Sequence, residues 1–144
     1  MAILNYTTTI AAGKTTQEIQ MLLAKAGAQK VLVDYETSGS GEPVAITFAV
    51  AVGPEQTLWW FTLPSNWQGV LKALTKAQVA WKYRTEAQAR RVSWRIIKNW
   101  CEAQLAIIEA GQAGLAEVFL PYAQTPSGDT LYKAIESGSL KLLN

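Results

Sequence analysis

The chain has 144 residues, a length that fits one domain, and 49 % of them are apolar, six being tryptophan. That is enough to bury a sizeable core without disulfides or a structural metal, and the net charge of +2 by itself selects no class of partner. There is no histidine and only one cysteine, which excludes Ser-His-Asp and Cys-His catalysis, histidine general bases and zinc fingers, and leaves any chemistry to carboxylates, Lys, Arg, Tyr or main chain.

The start, MAILNYTTTI, lacks the basic region and long apolar run of a signal peptide. The longest apolar run, Pro43 to Val52, is broken by Thr47 and is too short to span a membrane as a helix. A soluble, cytoplasmic protein without a membrane partner is therefore expected. Ile3 to Ile10 alternates loosely and is rich in threonine, which predicts a short strand at a sheet edge. AAGKTTQEIQMLLAKAG then predicts a helix. Thr15 with Glu18 forms a capping box, Ile19, Leu22, Leu23 and Ala26 share a face, and Gly27 stands at the stop position. Gly13, Lys14 and Thr15 also match the end of a P-loop. The motif's first glycine is replaced by Thr8, and the strands that follow read as antiparallel, so helix capping is the reading taken.

Three strand-like runs come next. Val31, Val33 and Tyr35 alternate with Leu32, Asp34 and Glu36. Val44, Ile46, Phe48, Val50 and Val52 alternate with Ala45, Thr47, Ala49 and Ala51. Thr57, Trp59, Phe61 and Leu63 alternate with Leu58, Trp60 and Thr62. The connectors TSGSGE and GPEQ are short and rich in turn residues, so an antiparallel meander is expected. One side of the middle strand is nearly all alanine. Small residues let another element approach closely, and a helix is expected to pack across one face of the sheet.

After Pro64 the hydrophobic period changes to that of helices. Ser65 with Gln68 predicts a capping box, followed by an inward face of Trp67, Val70, Leu71 and Leu74. Thr85 with Gln88 predicts another, opening a long helix to about Ala110 with Gly111 as its stop. The remainder predicts two short helical pieces separated by a PSG turn, and a tail, SLKLLN. The order predicts a single domain over 1–144, of the α+β class: an antiparallel sheet of three to four strands, helices packed on one face, and one long helix in the C-terminal half.

Asp34 and Glu36, two apart on a strand, share a face and would suit a metal or acid/base pair; the plainer reading is a solvated sheet face. Cys101 lies near the apolar residues Ile97, Leu105 and Ile108 and reads as a buried structural thiol, since no base is available to activate it. Trp59, Trp60 and Phe61 cannot all point one way, because adjacent strand residues face opposite sides. Either both sheet faces are covered, or one tryptophan lies at a binding or oligomer surface.

The basic residues are unevenly placed. Lys72, Lys76, Lys82, Arg84, Arg90, Arg91, Arg95 and Lys98 are eight of the thirteen, and between positions 72 and 98 only Glu86 opposes them. Arg91, Arg95 and Lys98 recur at helical spacing and form one stripe, beside an apolar stripe of Val92, Ile96, Trp100, Ala103 and Ile107. Trp94 follows Arg90 by four residues and is placed to pack under its guanidinium. Such a stripe with Trp81, Tyr83 and Trp94 interleaved suits phosphate contacts and base stacking. It also suits an acidic protein partner, or a plain solvated helix face.

The stretch VSWRIIKNWCEAQLAIIEAGQAGLAEVFLPY, with LPSNWQGVLKAL and TLYKAIESG, resembles a family of small uncharacterised proteins encoded by bacteriophages and prophages. The resemblance runs from the EIQ helix onward and implies a mobile-element protein, near replication or recombination or acting against host defence; it implies no active site.

The resulting expectation is a non-enzymatic protein with no cofactor and no metal. Nucleic acid, preferably single-stranded, is the expected partner, with Lys82, Arg84, Arg90, Arg91, Arg95 and Lys98 neutralising phosphates and Trp81, Tyr83 and Trp94 stacking. The alternative is an anti-defence inhibitor or adaptor that binds a host protein or sequesters a nucleotide signal. A homo-oligomer is compatible with either, as is location in the host cytoplasm.

Overall fold

The computed structural model describes residues 3–143. Helix α1 (Ala12–Ala26) is followed by strands β1 (Lys30–Tyr35), β2 (Pro43–Val52) and β3 (Thr57–Pro64), then by helices α2 (Trp67–Lys76) and α3 (Glu86–Glu109). A single 3-10 turn, Trp81–Tyr83, joins α2 to α3. Beyond α3 come a short helix α4 (Leu115–Val118), a 3-10 turn at Leu120–Tyr122 and a short helix α5 (Leu131–Glu136). The strands form one antiparallel sheet in the order β1-β2-β3, with Phe48 paired to Val31 on one side and to Phe61 on the other. The α+β class and the long helix are as the residue pattern predicts. At 24 residues, α3 is roughly 36 Å long.

The alternation along β2 decides where the core lies. Ile46, Phe48 and Val50 turn one way and meet Phe61 and Leu63 of β3, Ile19 and Leu23 of α1, and Trp94 and Cys101 of α3. Phe119, just past α4, closes this core with its ring edge-on to Phe48, centroids 5.4 Å apart. α3 packs against both α1 and α2, and a smaller cluster of Leu74, Val79 and Ala89 lies between α2 and α3. The helices therefore cover the large-residue face. Ala45, Thr47 and Ala51 point the other way and stay partly exposed, so the helix expected across one face of the sheet packs on the large-residue side and leaves the alanine side open. Larger side chains bury more apolar area, and the helices take the face that offers it.

Three local expectations need correction. Ile3–Ile10 is not a strand. It runs as turns, and the Gln88 side-chain amide of α3 donates to the carbonyls of Tyr6 (2.8 Å) and Thr8 (3.0 Å). A threonine-rich run satisfies its backbone this way as readily as in a sheet. α1 begins at Ala12, four residues earlier than a Thr15 cap allows, and Thr15 instead donates to the Ala11 carbonyl at 3.4 Å. The AGKTT segment is thus helical and forms no phosphate-binding loop. α2 is capped by Asn66, which accepts from Gly69 N–H at 3.1 Å, while Ser65 hydrogen-bonds Ser93 at 2.8 Å. The Thr85 cap is as expected, accepting from Gln88 N–H, and Gly27 ends α1 with a positive φ of 115° that glycine adopts without strain.

Candidate nucleic-acid interface

Burial divides the basic stripe. Arg90 is buried in the α3 surface. Its Nη2 donates to Glu36, its Nε donates to Glu86 at 3.2 Å, and its guanidinium lies over the Trp67 ring, 4.7 Å from the centroid. Burial alone would lower its pKa, but Glu36 and then Glu86 hold it above the ordinary arginine value. Arg90 is thus a structural cation and not a phosphate contact. Trp94 is fully buried and donates its indole N–H to the Pro43 carbonyl at 3.3 Å, so it neither stacks on a base nor lies under Arg90. Both were expected at the surface. A helix carries its residues all the way round, and positions 90 and 94 fall on the side that meets the sheet and α2.

Arg95 and Lys98 are also committed. Arg95 Nη1 donates to Glu18 of α1 at 3.0 Å and to Thr15 at 3.4 Å. Lys98 Nζ lies 3.5 Å from Glu18 and 3.2 Å from Glu102. Their side chains are only 14 % and 17 % exposed. Burial would raise the Glu18 carboxyl pKa, but the hydrogen bond from Arg95 and the charges of Arg95 and Lys98 hold it below the usual carboxylate value. Most of the expected stripe is therefore the α1–α3 contact, with its charge compensated.

The remaining residues form a patch at the N-terminal end of α3. Trp81 is 79 % exposed. The Arg84 guanidinium lies over its ring, 4.2 Å from the centroid, steered by Nε donating to the Val79 carbonyl at 2.7 Å. Lys82 Nζ sits 5.1 Å from the Tyr83 ring centroid, and Tyr83 meets Tyr6 edge-on at 5.4 Å. Arg91 donates through Nε and Nη2 to the Gln88 side-chain oxygen, at 3.0 and 2.7 Å. Among the described residues, Lys82, Arg84 and Arg91 make no ion pair with a carboxylate. Thr7, Thr8 and Thr9 complete a polar recess of about 420 Å³ with Lys82, Tyr83, Gln88 and Arg91. A strand over Ile3–Ile10 would place these threonines along a sheet edge, whereas the turns bring them to the recess. Gln88 is the link: its backbone is capped by Thr85 while its side chain holds both the threonine segment and Arg91.

The other candidate chemistries separate in space. Asp34 accepts from the Thr47 hydroxyl at 2.9 Å, whereas Glu36, past a bulge between Asp34 and Tyr35, turns to Arg90. The two carboxylates do not act as a pair. Cys101 is buried and its thiol is pushed up to about 12, first by burial and then by Glu102, which leaves it protonated and unreactive. Trp59 lies at the surface with Leu58, Leu120, Pro126 and Leu131 around an apolar groove of about 490 Å³. Trp60 lies on the open face beside Lys30, whose Nζ is 5.9 Å from its centroid. No helix is long and apolar enough to cross a membrane among the described residues. No family model, curated protein or solved structure matches this chain.

Proposed function

We propose that this is a non-enzymatic phage or mobile-element accessory protein of the host cytoplasm, binding single-stranded nucleic acid through the narrowed patch of Trp81, Lys82, Tyr83, Arg84 and Arg91. The observation that carries the reading is Trp81, an exposed indole held against Arg84 and flanked by cations that have no carboxylate partner among the described residues. A base stacks on the free face of such a ring whatever its sequence, and the nearby cations neutralise the phosphates that follow. The phage context rests on the sequence resemblance alone.

Filter binding of a single-stranded oligonucleotide at two salt concentrations tests it. Three phosphate contacts give a loss of roughly 20-fold between 50 and 200 mM salt. Arg84→Glu combined with Arg91→Glu should abolish binding, and salt-independent or absent binding by the wild type refutes the reading.

A second reading, docking on a host protein, is supported by the separate apolar groove at Trp59. Capture of a host protein that Trp59→Ala abolishes and Arg84→Glu leaves intact would favour it. Sequestration of a nucleotide in the Thr7–Thr9 recess would instead show as retained ligand in native mass spectrometry.

A further inference from the structure

We infer that the free edge of β1 is a self-complementary interface, through which two copies of this chain join their sheets into one of six strands. The inference stands independently of the nucleic-acid reading.

Among the described residues, β1 has a partner strand on one side only. The ladder shows which of its backbone groups are free. The Val44 carbonyl accepts from Ser65 N–H at 2.9 Å, on the β3 side, and the Ala49 carbonyl accepts from Gln29 N–H at 2.8 Å, on the β1 side. Backbone groups of successive strand residues point to alternate sides. Ala45, Thr47 and Ala49 therefore bond to β1, through their partners Asp34, Leu32 and Lys30. The N–H and C=O groups of Val31 and Val33 then point outward from the sheet edge.

The side chains match this edge to itself. Lys30, Leu32 and Asp34 share the open face of the sheet, and Leu32 is 51 % exposed. An antiparallel copy centred on Leu32 sets Lys30 opposite the partner's Asp34 and Asp34 opposite the partner's Lys30. Leu32 meets its own counterpart, and Val31 exchanges backbone hydrogen bonds with the partner's Val33. Neither Lys30 nor Asp34 has an ion-pair partner among the described residues. A lysine on an edge strand ordinarily repels further pairing. Here the only register that pairs Leu32 with itself also neutralises every charge it brings together, and a two-fold axis satisfies both copies at once.

The contact is small, so a reversible dimer is expected. Sedimentation equilibrium of the full chain, from low micromolar to near-millimolar protein, should show a monomer–dimer equilibrium. Lys30→Asp alone, or Asp34→Lys alone, sets two like-charged pairs across the axis and should weaken the dimer roughly tenfold to a hundredfold. The double variant Lys30→Asp/Asp34→Lys restores opposite charges and should recover most of the wild-type affinity. Hydrogen exchange adds a readout free of substitution: the amides of Val31 and Val33 should become protected as protein concentration rises. A monomer throughout the range, single variants that dimerise like the wild type, or Val31 and Val33 amides indifferent to concentration would each overturn the inference.

Discussion

Arg95 of α3 donates to Glu18 of α1 at 3.0 Å, and Lys98 shares the same carboxylate at 3.5 Å. A stripe that reads as a binding face in the sequence is therefore a seam between two helices. Glu18→Gln should lower stability by about 1 kcal/mol, because two poorly exposed cations lose their common partner. The pH dependence has a definite sign. The carboxyl is held below its ordinary 4.5, so its contribution is present above that value and is lost as pH falls through the lower folded value. Urea unfolding from pH 7 to pH 3 should show a decline below about pH 4.5 that is shallower in Glu18→Gln.

Arg90 is the more deeply placed cation. Replacing it with alanine leaves Glu36 without its cation, removes the partner of Glu86 and uncovers the Trp67 ring. A cost of about 3 kcal/mol is expected in urea unfolding, with little change in the slope. Arg90→Lys should recover only part of it, because an ammonium cannot bond two carboxylates in a fork while lying flat on an indole.

Trp81 and Trp94 should respond in opposite ways. Trp81→Ala removes an exposed ring and should change stability by less than about 0.5 kcal/mol, while weakening single-strand binding by about 1–3 kcal/mol. Trp94→Ala should cost about 3–5 kcal/mol of stability, because a fully buried indole leaves a cavity and an unsatisfied Pro43 carbonyl. Thermal melting and filter binding on the same pair of variants separate the two roles.

Cys101 should be silent in the native state. With its thiol raised to about 12, almost none is thiolate at pH 8, and burial blocks access as well. A disulfide reagent such as DTNB should fail to label the native protein at pH 8 and should label one thiol per chain in denaturant.

The secondary structure was legible wherever a short-range signal specifies it. The alternation of Val44 to Val52 and of Thr57 to Leu63 marked β2 and β3, and Thr85 and Gly111 bracketed α3 to within a residue or two. Less legible was the N-terminal segment. Its threonines have no strong period, and what holds Tyr6 and Thr8 in place is a glutamine 82 and 80 positions away.

The candidate site shows the same limit more sharply. Glu86 is the one acid within the basic run, yet the carboxylates that matter most are Glu18 and Glu36, separated from Arg95 and Arg90 by 77 and 54 positions. Short-range pattern was enough to establish the α+β class, the meander and the long helix, because hydrophobic period and turn chemistry act over a few residues. Which cations stay free for a ligand was decided by tertiary packing. Charge is neutralised by whatever lies within a few ångströms in space, and only the folding of α1 and the end of β1 against α3 brings those acids there.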